Sequence, residues 1–139
     1  MAINVDFLKR CIATLDGAYR ALVEKSQDDI AYDIYRAACV KEYEIILEQC
    51  GKLLKKRLEV YFATHKLADK LTFKDIFRFA AKHDLLDITA CERWLIYRDN
   101  RNNTAHDYGE HFAETTLKLL PQFIADAQAL SIIVEQQDD

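Results

Sequence analysis

Residues 28–63 read DDIAYDIYRAACVKEYEIILEQCGKLLKKRLEVYFA, a helical pattern long enough to organise the whole fold. Apolar side chains recur every three or four positions, as on one face of an α-helix. They are Tyr35, Ala38, Cys39, Ile46, Cys50, Leu53, Leu54, Leu58 and Tyr61. Gly51 falls inside this stripe, where glycine costs a helix about 1 kcal/mol relative to alanine. We predict one long core helix here, with a bend or a close helix contact at Gly51.

The segments on either side of this helix show the same period. Residues 3 to about 24 carry apolar side chains on one face and predict the first helix. Residues 64–71 are polar and predict a connection. Thr72 with Asp75 has the spacing of a capping box and predicts the start of a shorter helix.

Two more helices complete the pattern. The segment Thr89-Ala90-Cys91-Glu92 has the form of a capping box, and its helix should end near Thr104. The last helix should begin near Tyr108 and run past Leu130. Pro121 lies within it and should bend it, because the proline ring removes a hydrogen bond and crowds the preceding turn.

The predicted fold is therefore all-α, an antiparallel up-and-down bundle of four to five helices. Three Gly and one Pro in 139 residues leave few turns, which disfavours a sheet protein. Neither an internal repeat nor a linker is evident, so residues 1–139 are expected to form a single domain with a frayed tail at 131–139.

Composition also indicates the compartment. No apolar run approaches the roughly 18 residues of a membrane span, and the N-terminus has no basic stretch followed by an apolar one. We expect a cytoplasmic protein that does not enter membranes. The cysteines Cys11, Cys39, Cys50 and Cys91 are far apart among apolar residues, so they predict buried thiols. The four histidines lack metal-ligand spacing, and we expect neither a metal nor a cofactor.

The formal charge of −4 argues against a surface that coats nucleic acid generically. The charge is nevertheless uneven. Residues 52–101 hold 12 Lys/Arg and 7 Asp/Glu, a local net charge of +5 in an acidic protein. This middle segment could attract a phosphate locally, although solvated helix faces are the plainer explanation for any single lysine.

The stretch Arg101-Asn102-Asn103-Thr104-Ala105-His106-Asp107-Tyr108 carries the candidate chemistry. Arg101 supplies a planar fork of donors suited to phosphate. His106 can take or give a proton near neutral pH, and Tyr108 adds a hydroxyl. A helix break between Arg101 and His106 would let both face one cleft, beside the N-terminus of the last helix. The plainer alternative is a polar helix end with a cation favoured by the helix dipole.

The pattern resembles the Arg-x4–6-His signature of HEPN domains, and Arg-x4-His-x-Tyr resembles their HepT-like branch. That branch is also described as nucleotidyltransferase substrate-binding proteins. Trp94, Asn102 and Glu110 agree with the wider segment. Tyr43-Glu44, Glu48, Lys52 and Lys55 resemble an aromatic-Glu-x3-Glu-x3-Lys-x2-Lys pattern in the second helix. One departure is Gly51, where the family often has tryptophan.

The resemblance implies a homodimer with both motifs lining a shared cleft, and metal-independent cleavage of RNA. It implies that His106 transfers a proton, that Arg101 stabilises charge on phosphorus and that Asn102 orients the phosphate or the histidine. The ribose 2′-OH would be the nucleophile, so DNA should not be cut. It further implies a toxin whose MNT-type nucleotidyltransferase antitoxin attaches AMP to Tyr108. The alternative is a non-catalytic substrate-binding subunit of a two-component nucleotidyltransferase.

Overall fold

The computed structural model describes residues 3–103 and 110–136 of the chain. These residues form six α-helices and one 3₁₀ turn, and the described part contains no strand. The all-α prediction is thus confirmed, with one helix more than expected. The elements are α1 (Asp6–Leu22), α2 (Ile30–Leu58), the 3₁₀ turn (Glu59–Tyr61), α3 (His65–Asp69), α4 (Phe73–Lys82), α5 (Ile88–Asn102) and α6 (Glu110–Glu135).

Cross-helix contacts define how the helices run. Arg93 near the start of α5 pairs with Asp126 late in α6, whereas Asn100 near the end of α5 bonds Thr116 early in α6. These two helices are therefore antiparallel. The short connection at residues 23–29 likewise turns the chain back between α1 and α2, as in an up-and-down bundle.

The core is aromatic at its centre. Trp94 of α5 stacks on Phe77 of α4 with ring centroids 4.9 Å apart, and Phe123 of α6 packs against Tyr43 of α2 at 4.6 Å. All four side chains are buried. Such rings each bury a large apolar area, so this cluster supplies much of the stabilisation that joins α2, α4, α5 and α6. The four cysteines are buried thiols, as predicted.

The helix starts test the capping predictions. The Thr72–Asp75 box is confirmed, with the Thr72 hydroxyl and the Asp75 carboxylate each accepting the other's backbone N–H. The box predicted at Thr89 is wrong. Helix α5 begins at Ile88, and the Asp87 carboxylate accepts the N–H of Ala90 at 2.7 Å. Aspartate caps as well as threonine does, so an equally good cap lay two residues earlier.

The connection predicted at residues 64–71 contains the short helix α3. The Thr64 hydroxyl caps it, and Ala68 is buried within it. The preceding helix α2 correspondingly ends earlier than predicted, at Leu58, and continues as the 3₁₀ turn to Tyr61. A five-residue helix has too few turns to display an apolar period, which explains why the pattern missed it.

Helix α6 is the most apolar element. By length and composition, residues His111–Glu135 could cross a membrane, contrary to the expectation that no segment would. Half of the most apolar stretch of this helix is nevertheless buried inside the bundle, where Leu120, Phe123 and Ala127 are fully enclosed. The core helix of a globular protein has this composition, and its packing here accounts for it.

The end of α6 requires one correction. Residues 131–135 were expected to belong to a frayed tail, but the helix continues through Glu135, with Ser131 and Val134 buried. Val134 keeps the apolar period, and this burial holds the last turn in place. Pro121 lies inside the continuous helix. The predicted helix start near Tyr108 lies outside the described residues, whereas α5 ends at Asn102, close to the predicted Thr104.

Gly51 is the site of a close helix contact, as the sequence suggested. A Cβ atom added there would come within 2.7 Å of the Phe73 ring. The first residue of α4 therefore lies directly against the backbone of α2. Phe73 therefore fills the space beside Gly51 that a side chain on α2 would need.

Candidate functional site at the end of α5

Arg101 lies in the last turn of α5 and faces α2. Its Nε lies 3.0 Å from Oε2 of Glu44, and 38% of its side chain remains exposed. The ion pair fixes where the guanidinium lies, and the side chain as a whole stays partly open to solvent. A guanidinium carries five N–H donors in a planar fork, which suits it to bind a phosphate at this position.

A second ion pair lies one turn away on the same two helices. Arg98 Nη1 lies 3.4 Å from Oε2 of Glu48. Arg98 and Arg101 are three residues apart on α5, and Glu44 and Glu48 are four apart on α2, so each pair shares a helix face. The two acids in the Tyr43-Glu44-x3-Glu48 pattern therefore hold the two arginines of α5.

A buried hydrogen-bond network supports this end of α5 from inside. The Tyr43 hydroxyl donates to the backbone carbonyl of Tyr97 at 2.6 Å. The Asn100 amide donates to the Tyr43 hydroxyl at 3.3 Å and to the Thr116 hydroxyl at 3.0 Å. Burial raises the pKa of Tyr43 well above its usual range, so the hydroxyl stays protonated. Asn100 thereby ties α5 to α2 and α6 directly beside Arg101.

A second polar cluster, partly buried, lies between α5 and α6. The Asp126 carboxylate accepts from Arg93 Nε and Nη2, both at 2.8 Å, from the Tyr97 hydroxyl at 2.6 Å and from Gln122 at 3.1 Å. Burial raises the pKa of Asp126, but these hydrogen bonds outweigh it and lower the pKa overall. Burial and the bond to Asp126 raise the pKa of Tyr97.

Neither Asn100 nor Asp126 was singled out from the sequence. For Asp126 a signal existed, because a single acid inside the apolar stripe of the last helix requires a buried partner. For Asn100 the spacing gave none, since it stands among other polar residues of the segment from Asp99 to Asn103. Only the direction of its side chain, inward rather than outward, distinguishes it.

The structure describes only some of the predicted site residues. Asn102 is exposed at the end of α5, on the opposite side from the buried Asn100. His106 and Tyr108 lie outside the described residues. Within the predicted motif, the structure defines the contact of Arg101 with Glu44. Among residues 3–103 and 110–136, no three His, Cys, Asp or Glu side chains gather in a way that could hold a metal ion.

The described part of α6 begins beside a further charged cluster. The Tyr32 hydroxyl bonds both oxygens of Glu114, at 2.9 and 3.0 Å. Arg36 lies 3.7 Å from the same carboxylate and 3.4 Å from Asp33. Burial, followed by the bond to Glu114, raises the pKa of Tyr32. These contacts fix the start of α2 to the first turns of α6.

Comparison with known proteins agrees with this fold and defines its class. The family described as nucleotidyltransferase substrate binding protein like matches residues 6–136, and the chain belongs to that family. This match confirms the family that the sequence predicted.

Two proteins of Haemophilus influenzae are similar to this chain. One is named Probable ribonuclease HepT and is 28% identical over 110 residues, which are 79% of this chain and 72% of that protein. The other is HI0074, whose structure is described as revealing the fold of a substrate binding domain of a nucleotidyltransferase. It superposes with a TM-score of 0.79 at 22% identity over 96% of this chain and 100% of that one, and shows a common fold.

Proposed function

We propose that the protein is a metal-independent endoribonuclease in which Arg101 binds the scissile phosphate and His106 transfers the proton. The observation that carries the proposal is the fixed position of Arg101. Glu44 holds its guanidinium, and the Arg101 side chain stays partly exposed at the helix end from which the chain continues to His106. The similarity to a protein named as a probable ribonuclease supports the same reaction class.

The chemistry needs one base, one acid and one cation. The base takes the proton of a ribose 2′-OH, whose oxygen then forms a bond to phosphorus as the bond to the 5′-oxygen breaks. The acid protonates that leaving oxygen, and the products are a 2′,3′-cyclic phosphate and a 5′-hydroxyl. Arg101 would stabilise the charge that grows on the phosphoryl oxygens. His106 would serve as base or acid, and Asn102 would orient the phosphate.

A single arginine and a single histidine supply only part of this set. A homodimer that brings two copies of the motif together across a two-fold axis would supply both an acid and a base. We therefore propose a shared cleft in which Arg101 and His106 of both subunits face one RNA strand. Light scattering should find a dimer at micromolar concentration, and a monomer that cleaves RNA at full rate would contradict this arrangement.

The proposed biological setting is a toxin–antitoxin pair in the cytoplasm. The partner would be an MNT-type nucleotidyltransferase that neutralises the ribonuclease by attaching AMP to Tyr108. A second candidate function is a non-catalytic subunit that binds substrate for such a nucleotidyltransferase. The description of its family as nucleotidyltransferase substrate binding protein like favours this second candidate.

Cleavage by purified protein separates the two functions. Wild-type protein should cut single-stranded RNA in the presence of EDTA and leave cyclic phosphate ends. His106→Ala and Arg101→Ala should each lower the cleavage rate by about 10²–10⁴-fold. Matched controls are His65→Ala on α3, whose side chain is 83% exposed, and Arg20→Ala on α1, whose side chain is 79% exposed. Both controls should cleave like wild type.

The opposite result is equally informative. If wild-type protein cuts no RNA and its expression is harmless without the nucleotidyltransferase, the ribonuclease proposal fails and the substrate-binding function is supported. If His106→Ala cleaves as fast as wild type, the activity belongs to a contaminant or to other residues. Circular dichroism melting of each variant checks that the fold is intact.

A further inference from the structure

A surface pocket of about 180 Å³ opens beside the second ion pair, between α2 and the start of α4. Its lining includes Lys52 and Lys55 of α2, Arg98 of α5 and Phe73 of α4. Three cations and one acid, Glu48, line the pocket, and Asp69 pairs with Lys55 beside it, so the group keeps a net charge of about +1 in a protein whose net charge is negative. The proposed reaction uses none of these cations.

The walls of the pocket are held in place by ion pairs. Lys55 Nζ lies 2.9 Å from Asp69 of α3, and Arg98 is held by Glu48. The floor depends on Gly51, because a side chain there would displace the Phe73 ring. The pocket is therefore a built feature of this chain, since it combines fixed cations with an apolar floor.

Arg98 gives the pocket a planar face. Its guanidinium carbon lies 5.0 Å from the centre of the Phe73 ring, and 29% of the side chain remains exposed. Unpaired bases in RNA stack on arginine planes as well as on aromatic rings. Lys52, which is exposed, and Lys55 are placed to meet a phosphate beside such a base.

The pocket lies next to Arg101. Arg98 precedes Arg101 by three residues on the same face of α5, and Lys52 follows Glu44 by eight residues on α2, which is about 12 Å along the helix. The cations therefore form a row from the end of α5 towards α3. An RNA strand whose scissile phosphate contacts Arg101 could continue along this row.

We propose that this pocket is a subsite for the nucleotide that flanks the scissile phosphate in single-stranded RNA. A base stacks on Arg98, and Lys52 and Lys55 bind the adjoining phosphate. This inference rests on the proposed ribonuclease function for its place in the reaction, but RNA binding tests it separately. A strand engaged at two phosphates would bind more tightly than one engaged at Arg101 alone.

The binding experiment uses full-length protein carrying His106→Ala, which should prevent cleavage. Fluorescence anisotropy with a labelled RNA octanucleotide should show about tenfold weaker binding for Lys52→Ala/Lys55→Ala than for the parent. The slope of log K against log salt should become shallower by about 0.7 for each phosphate that the variant no longer binds. Lys52→Arg should keep the affinity of the parent. Lys25→Ala is the matched control, because Lys25 precedes α2, whose start lies about 33 Å from Lys52 along the helix.

A cleavage experiment then places the pocket in the reaction. A dinucleotide of the form NpN has only the scissile phosphate, so the second phosphate that the pocket would bind is present only in longer RNA. The ratio of kcat/KM for the octanucleotide to that for the dinucleotide should fall about tenfold in Lys52→Ala/Lys55→Ala. An equal loss on both substrates would overturn the subsite, since it would indicate a general effect on the protein.

The two proposals fail in different ways. If the wild-type protein cuts RNA and the lysine variants bind and cut the octanucleotide as well as it does, the subsite is wrong and the ribonuclease stands. If the octanucleotide binds through Lys52 and Lys55 but is never cut, the ribonuclease is wrong and the pocket remains an RNA site. If the wild-type protein neither binds nor cuts RNA, both are wrong.

Discussion

Glu44 Oε2 and Arg101 Nε form an ion pair of 3.0 Å that joins the middle of α2 to the last turn of α5. The pair is partly exposed, so its contribution to the free energy of unfolding should be small, at about 0.2–1 kcal/mol. Its position matters more than its energy. The ion pair fixes the orientation of the Arg101 guanidinium, which we propose binds the scissile phosphate.

Glu44→Gln should therefore lower catalysis more than binding. The variant loses the charge that orients Arg101, and misplacement of a catalytic group by about 1 Å can cost about 100-fold in rate. It also removes a negative charge beside the incoming phosphate. We expect kcat to fall about 10- to 100-fold while KM stays constant or decreases. Glu92→Gln, an exposed change on α5, is the control. An unchanged kcat would show that Glu44 does not position Arg101.

Asp126→Asn should destabilise the fold. The substitution weakens a carboxylate network of four hydrogen bonds from three residues and leaves Arg93 without the carboxylate it bonds, which should cost about 2–3 kcal/mol at pH 7. Because the folded-state pKa of Asp126 is lowered, its contribution is present above the unfolded pKa of about 3.9 and is lost as pH falls through the folded value.

Chemical denaturation at several pH values measures this contribution. The difference in unfolding free energy between wild type and Asp126→Asn should be largest at neutral pH and should shrink below pH about 4. Asp16→Asn breaks the surface pair with Arg20 and should change stability by less than about 1 kcal/mol. A difference for Asp126→Asn that stays constant down to pH about 2 would contradict a role for its charge.

Gly51→Ala should lower stability although alanine is the better helix former. The methyl group would meet the Phe73 ring at 2.7 Å, and such overpacking typically costs about 1–3 kcal/mol against a propensity gain of about 1 kcal/mol. In a Phe73→Ala background the clash is gone, so the same substitution should raise the melting temperature. Gly17→Ala on α1 meets nothing within 4 Å and should also raise it. Equal effects of Gly51→Ala in both backgrounds would show that Phe73 is not the obstacle.

The period of apolar side chains was enough to predict the long helices, because burial of one helix face is a local property of the sequence. It could not reveal α3, which is too short to show a period. It also could not choose between Asp87 and Thr89 as the cap of α5, since both residue types accept the same N–H bonds.

Less of the candidate site than of the fold could be predicted from the sequence. Spacing identified Arg101 as a phosphate-binding candidate, but the partner that orients it, Glu44, lies on another helix. Which carboxylate meets which arginine depends on the register between α2 and α5, and no local pattern encodes that register. Asn100 illustrates the same limit, because its burial follows from how α5 packs on α6.

Tyr108 lies outside the described residues, and its proposed role as a switch rests on its place two residues after His106. In the modification, the tyrosine oxygen attacks the α-phosphate of ATP, a new O–P bond forms, and pyrophosphate leaves while the phenolic proton passes to solvent. The attached AMP would bring a phosphate beside Arg101. That phosphate could pair with the guanidinium and occupy the place that the RNA phosphate needs.

Co-expression with its nucleotidyltransferase partner, followed by mass spectrometry, tests this switch. We expect adducts in multiples of one AMP on the peptide that carries Tyr108, and their loss in Tyr108→Phe. Tyr61→Phe is the matched control, because Tyr61 is a surface tyrosine with 42% exposure. The modified protein should lose RNA cleavage without a change in its circular dichroism spectrum. If the partner neutralises Tyr108→Phe as fully as wild type, neutralisation runs through binding alone, and the phosphate at Arg101 has no part in it.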